Sequence, residues 1–179
     1  MELDRDAFSE VFMNPSLAAV SSGFTFSANW RGFELKHDGK SVATLKRPKV
    51  WSADFMVESA GESWVIRRSG FWGNRGDIVD GASQQKIAAF KWGWGGKGTL
   101  TFADGQTFHV LTRGCWHPIW SVTTEAGQSV LKLHTREKSV EVREGPALPA
   151  DRLLVLMLFT LYRVRQAEEA AAAAAAAAS

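Results

Sequence analysis

The sequence predicts a mainly β protein: an up-and-down antiparallel barrel of about twelve strands enclosing a hydrophobic C-terminal α-helix. Three observations carry that expectation. Glycine-centred turns recur about every 22 residues. Apolar residues alternate on both sides of these turns, the period of a half-buried strand. The longest apolar run, Leu153 to Tyr162, has no polar face.

Size and composition set the frame. A chain of 179 residues suits one domain. Its 45% hydrophobic and 22% charged residues are those of an ordinary globular protein. Sixteen glycines and eight tryptophans favour short strands and tight turns over helices. The net charge of +2 does not argue for nucleic acid, and none is expected as a partner. A single cysteine, Cys115, rules out an internal disulfide and is compatible with a reducing compartment. The start, MELDRDAFSEVF, lacks the basic residues and apolar run of a signal peptide. A cytoplasmic location, peripheral to a membrane if a lipid is bound, is the expectation.

The turns come first in the chain. Gly39, Gly61, Gly81, Gly105 and Gly127 stand in related settings, among them His37-Asp38-Gly39-Lys40 and Ala103-Asp104-Gly105-Gln106. Asp-Gly supplies the positive φ angles of a tight hairpin without a Cβ clash. Leu100 and Phe102 lead into Gly105, and Phe108 and Val110 lead out. Each repeat holds two strands, so five hairpins give about ten strands between Trp30 and Thr135. Segments at Phe24 to Ala28 and Ser139 to Arg143 bring the total to about twelve. Closure removes the exposed edges of so long a meander. A sandwich or propeller is the alternative, although a two-strand repeat is short for a propeller blade.

The helix follows. Pro146 and Pro149 end strand pairing, and Asp151 is a candidate N-cap. Few residues of Leu153 to Tyr162 are β-branched, which favours helix over a central strand. Counted to Val164, the run spans about 18 Å, against about 30 Å for a membrane's hydrocarbon core, so no transmembrane span is expected. A helix that is apolar all round needs cover all round, and the interior of a barrel provides it. The expected organisation is a lead-in over 1–20, a barrel over 21–166 with its central helix at about 151–166, and an Ala-rich tail over 167–179. The tail favours helix by composition and either extends the central helix or frays.

Over roughly residues 20–166 this pattern resembles the tubby-like barrel superfamily, which includes the tubby C-terminal domain, the phospholipid scramblases and the LURP-one-related proteins. The resemblance rests on the Gly-turn spacing, on Trp120-Ser-Val ahead of Glu125-Ala-Gly127, and on Leu153 to Tyr162. It looks closest to short bacterial members with a Leu-rich ending. It implies a twelve-stranded barrel around the helix and contact with membrane lipid, and it brings no catalytic signature. The scramblases carry a proposed calcium-binding acidic segment beside the helix. Here that stretch, Glu144 to Asp151, lacks the D-x-D-x-D spacing of oxygen ligands, so calcium-dependent scrambling is not expected.

An up-and-down path puts the Gly turns, with Asp38, Glu62, Asp80, Asp104 and Glu125, at one end. The other end takes Lys46, Arg47, Lys49, Arg75, Lys97, Arg113, Arg136 and Lys138, with Trp51, Trp72, Trp92, Trp94 and Trp116. A basic, Trp-rich rim suits an anionic lipid surface, because Trp favours the headgroup level and cations favour negative lipid. Arg47, Lys49, Arg75, Lys97, Arg113, Trp72 and Trp94 are therefore the candidate anion-binding residues. The same pattern has structural explanations: Asp serves Asp-Gly turns, and Trp plugs barrel ends.

No catalytic residue, metal site or cofactor is expected. Phe71-Trp-Gly-Asn-Arg-Gly76 and Trp92-Gly-Trp-Gly-Gly-Lys-Gly98 are glycine-rich but do not match the phosphate-binding G-x-x-x-x-G-K-[ST] pattern. They read as connections. Cys115-Trp116-His117 and the scattered His37, His109 and His134 show no metal spacing. Asp77 and Asp80 form a carboxylate pair only if geometry brings them together. The functional expectation is thus a non-catalytic barrel domain that binds an anionic partner such as a phospholipid headgroup. The alternatives are a structural or protein–protein interaction domain and, third, an enzyme, which needs a deep pocket with converging titratable groups.

Overall fold

The computed structural model of the chain describes residues 22–49, 52–59, 61–70, 74–93, 96–114, 117–143 and 148–178. The first six strands are β1 (Ser22–Asn29), β2 (Gly32–His37), β3 (Lys40–Lys46), β4 (Phe55–Ser59), β5 (Glu62–Ser69) and β6 (Arg75–Asp80). Six more follow: β7 (Lys86–Trp92), β8 (Lys97–Phe102), β9 (Thr107–Arg113), β10 (Ile119–Thr124), β11 (Ser129–His134) and β12 (Ser139–Val142). One helix, α1 (Ala150–Ala178), completes the described elements.

Every strand pairs antiparallel with its neighbour in sequence, and β1 pairs with β12 to close the barrel. Phe24 faces Val140 across that seam. The alternation expected of the hairpins determines which side chains go in. Trp64 and Ile66 of β5, Leu100 and Phe102 of β8, Phe108 and Val110 of β9, and Trp120 and Val122 of β10 are all buried. Outward positions carry Glu34, Lys36, Lys46, Glu58, Arg67, Lys132 and Glu141 alongside Met56, Val65, Leu111 and Ile119, so the outer wall is mixed and heavily charged rather than a continuous apolar band.

The helix occupies the interior. Its residues Leu154 to Tyr162 are buried on every side, as is Val164. Phe159 packs on Phe90 at 5.1 Å between ring centroids, and Tyr162 meets Phe55 edge-on at 5.4 Å. Thr160, the polar residue in the run, donates its hydroxyl to the Leu156 carbonyl one turn back (2.7 Å). The helix enters among the Gly turns, where Arg152 forms an ion pair with Asp104 (2.5 Å) and hydrogen-bonds Gln106. It leaves through the opposite end and runs on without a break through the Ala-rich segment to Ala178. No helix among the described residues is long and apolar enough to cross a membrane.

Two local details differ from the sequence expectation. Gly39, Gly61, Gly105 and Gly127 have positive φ, but Gly81 does not; the positive φ of that turn falls on Gln84. Gly81 instead lies against β5, where a Cβ would stand 2.2 Å from the Ser63 hydroxyl. Its glycine answers close approach rather than turn conformation. Asp151 is not an N-cap, because the helix starts at Ala150. Its carboxylate lies in the first turn, where the helix dipole favours negative charge.

The helix-exit end as a candidate anion site

Because successive connections alternate between the two ends, the barrel has one mouth where α1 enters and one where it leaves. The exit mouth collects the β1–β2, β3–β4, β5–β6, β7–β8, β9–β10 and β11–β12 connections. These are the connections that carry the basic residues.

Two of the candidate residues, Arg47 and Lys49, share a cleft of about 340 Å³ lined by Trp30, Arg31, Arg47, Pro48, Lys49, Arg165 and Glu169. Three elements build it. The two-residue β1–β2 turn projects Trp30, which is 68% exposed, with the Arg31 guanidinium stacked 4.2 Å from its ring centroid. The β3–β4 connection supplies Arg47, Pro48 and Lys49, and α1 supplies Arg165 and Glu169 as it emerges. The Glu169 carboxylate joins the elements, accepting from Arg47 Nη2 (2.8 Å) and Arg165 Nε (3.0 Å). Arg165 also donates to the Trp30 carbonyl (3.1 Å). Four cations line the cleft against Glu169, with Glu168 pairing with Arg165 beside it (3.6 Å), so the cleft keeps a positive excess.

Arg75, Lys97 and Arg113 lie at the same end but apart from this cleft. They face outward at the exit-end tips of β6, β8 and β9, on the opposite parity from the buried Gly76, Gly98 and half-buried Thr112. The basic rim is therefore distributed around the circumference. Trp72 and Trp94 lie outside the described residues, as do Trp51, Cys115 and Trp116. Trp92 is described, and it turns inward over Gly98, where a Cβ would stand 2.0 Å from the indole. Gly98, in β8, makes room for the tryptophan of the neighbouring strand.

Inside the mouth, one layer beyond the apolar core, lies a second set of polar groups. Arg68 follows Trp64 and Ile66 on the inward face of β5. Arg163 of α1 is stacked on Trp92 with its guanidinium carbon 3.9 Å from the ring centroid. Burial, with the positive charge of Arg68 nearby, pushes the Arg163 pKa down to about 10. Tyr162 is raised by burial, against the pull of Arg68 and Arg163. Its hydroxyl is near enough to feel both cations, yet no partner among the described residues meets hydrogen-bond geometry.

Among the other candidates, Asp77, Asp80 and His134 make local contacts. Asp77 pairs with Lys86 (2.7 Å). Asp80 accepts from the Ser83 N–H (2.6 Å), the Ser83 hydroxyl (2.7 Å) and the Ala82 N–H (3.1 Å), which hold its carboxyl below the usual range. His134 lies between Glu137 and Glu141 on the outer wall. No grouping of metal-binding side chains occurs among the described residues.

Sequence reading missed Trp30, Arg31, Arg68, Arg165 and Glu169 as members of this end. Arg68 was accessible to it, since the alternation Trp64, Ile66, Arg68 points the arginine inward. The Glu169–Arg47 contact joins residues 122 positions apart and leaves no local trace. Comparison with protein-family models, curated proteins and solved structures found no match for the chain.

Proposed function

We propose that this domain binds an anionic phospholipid headgroup at the helix-exit end and performs no catalysis. The observation that supports this reading is the cleft that Arg31, Arg47, Lys49 and Arg165 line with Glu169 beside the exposed Trp30. An exposed indole next to a positive excess matches the interfacial layer of an anionic membrane, where each cation contributes about 1 kcal/mol. The barrel interior, where a substrate chamber would otherwise lie, is filled by Leu154 to Tyr162. The tubby-like resemblance of the sequence points in the same direction and is part of the proposal. So is a peripheral placement on the cytoplasmic face of a membrane.

Co-sedimentation with vesicles tests this. Binding to phosphatidylglycerol-containing vesicles, absent from pure phosphatidylcholine and weakening as salt rises, is the expected result. Replacing Arg31 and Lys49 together by Gln removes about 2 kcal/mol, or roughly 30-fold in partitioning. No binding to anionic vesicles at low salt overturns the proposal and favours a protein-interaction domain.

A further inference from the structure

The interior of the exit mouth concentrates hydrogen-bond donors without acceptors. The Nε groups of Arg68 and Arg163, the indole N–H of Trp120 and the Gln166 side-chain amide are buried without a partner among the described residues, and the buried Tyr162 hydroxyl, which lies against Arg163, has no acceptor for its proton there. Tyr162 is 0% exposed and Trp120 is 3% exposed. Folded proteins leave few buried donors unpaired, because each forfeits its bonds to water without replacement. Five such groups in one layer call for a shared explanation.

They are contiguous. Arg163 stacks on Trp92, and Trp92 packs on Trp120 at 5.9 Å. Gln166 follows Tyr162 and Arg163 by one helical turn and shares their face of α1. Arg68 is close enough to act on both Tyr162 and Arg163. Among the carboxylates, Asp54 is close enough to act on Tyr162. Stacking on Trp92 engages the flat face of the Arg163 guanidinium, and the Nε of that guanidinium has no partner among the described residues. Both arginines are only half-buried, so the layer is open to solute through the mouth.

We infer that this layer is a binding site for a phosphate-type oxyanion, with Arg68 and Arg163 as charged donors and Tyr162, Trp120 and Gln166 as neutral donors. The group of ligands follows from the chemistry. A phosphate monoester dianion is all acceptor and offers three or more oxygens to guanidinium forks, whereas a carboxylate offers two. The anion comes either from free phosphate or from the monoester of a lipid headgroup. The site is separate from the outer cleft, so it stands or falls independently of the vesicle reading.

Titration with inorganic phosphate against potassium chloride at matched ionic strength tests it, read by the thermal midpoint and by the arginine Nε and tryptophan indole resonances. A saturable rise in midpoint with shifts at Arg68, Arg163 and Trp120 is expected. Arg68→Gln and Arg163→Gln should each weaken apparent affinity at least tenfold, while the Arg31→Gln/Lys49→Gln variant keeps it. If Arg163→Gln fails to fold, Arg163→Lys retains the charge without the fork and should still weaken binding. Phosphatidic acid vesicles separate the sources. Binding that is lost in Arg68→Gln and displaced by phosphate identifies the lipid monoester. Vesicle binding indifferent to both, beside saturable phosphate binding in solution, identifies the free ion. A response that phosphate and chloride share, or that neither arginine variant changes, overturns the inference.

Discussion

Replacing Phe159 by alanine tests whether α1 is the core of the barrel or an accessory to it. Phe159 is 0% exposed and touches Phe90 of β7 and Tyr162 of its own helix, at 5.1 and 5.9 Å between centroids. A buried Phe removes about 150–250 Å² from water, worth about 4–6 kcal/mol at roughly 25 cal/mol per Å². Alanine keeps the β-carbon, so the expected loss is about 3–5 kcal/mol, set by how far the barrel closes on the cavity. A domain of this kind has about 5–15 kcal/mol in all. The midpoint of thermal unfolding should fall by roughly 6–20 °C. Urea unfolding followed by circular dichroism should show a lower midpoint with an unchanged slope. The control is Ala174→Gly, in the exposed continuation of the same helix, expected to cost about 1 kcal/mol or less. A Phe159→Ala loss within about 1 kcal/mol of the parent would refute the reasoning, because a helix covered on all sides cannot lose a ring so cheaply.

Other predictions concern single contacts. Gly98→Ala places a Cβ 2.0 Å from the Trp92 ring and should cost about 1–3 kcal/mol, whereas Gly93→Ala, with its nearest atom at 3.5 Å, should cost much less; urea midpoints compare them. Glu169→Gln removes the carboxylate between Arg47 and Arg165 and should strengthen binding to anionic vesicles several-fold in co-sedimentation. The Arg152 side chain, then the Gln106 N–H, hold the Asp104 carboxyl below its ordinary 3.8. A depressed carboxylate contributes stability that is complete above that ordinary value and lost as pH falls through the lower folded one. Asp104→Asn should therefore be less stable than the parent at neutral pH, with the gap closing below about pH 4; melting across pH 2–7 checks it.

The barrel was legible because its physics is local. Alternation at Leu100–Phe102 and Phe108–Val110 fixes which side of each strand is buried, and Asp38-Gly39 fixes where the chain turns back, with both residues at positive φ. The interior helix was legible because Leu153 to Tyr162 has no face that tolerates water. Gly81 was misread because a glycine chosen for close approach looks, in sequence, like one chosen for turn geometry. The site was legible only as an end of the barrel. Counting cations by connection puts Arg47 and Lys49 at one end of the barrel but cannot show that Glu169 returns to Arg47 along α1. Nor does it show that Arg75, Lys97 and Arg113 stand apart around the rim. The unpaired interior donors depend on register across β5, β10 and α1 together, which no single stretch of sequence encodes.

If the domain meets a membrane where α1 leaves the barrel, paramagnetic relaxation enhancement of backbone amides on phosphatidylglycerol nanodiscs doped with a gadolinium-chelating lipid will show which end touches lipid. The strongest enhancement is expected at Trp30, Arg31, Arg47, Lys49 and Arg165, and the weakest at the Gly39, Gly105 and Gly127 turns. Enhancement centred on those glycine turns, or spread evenly over the outer wall, would contradict that placement.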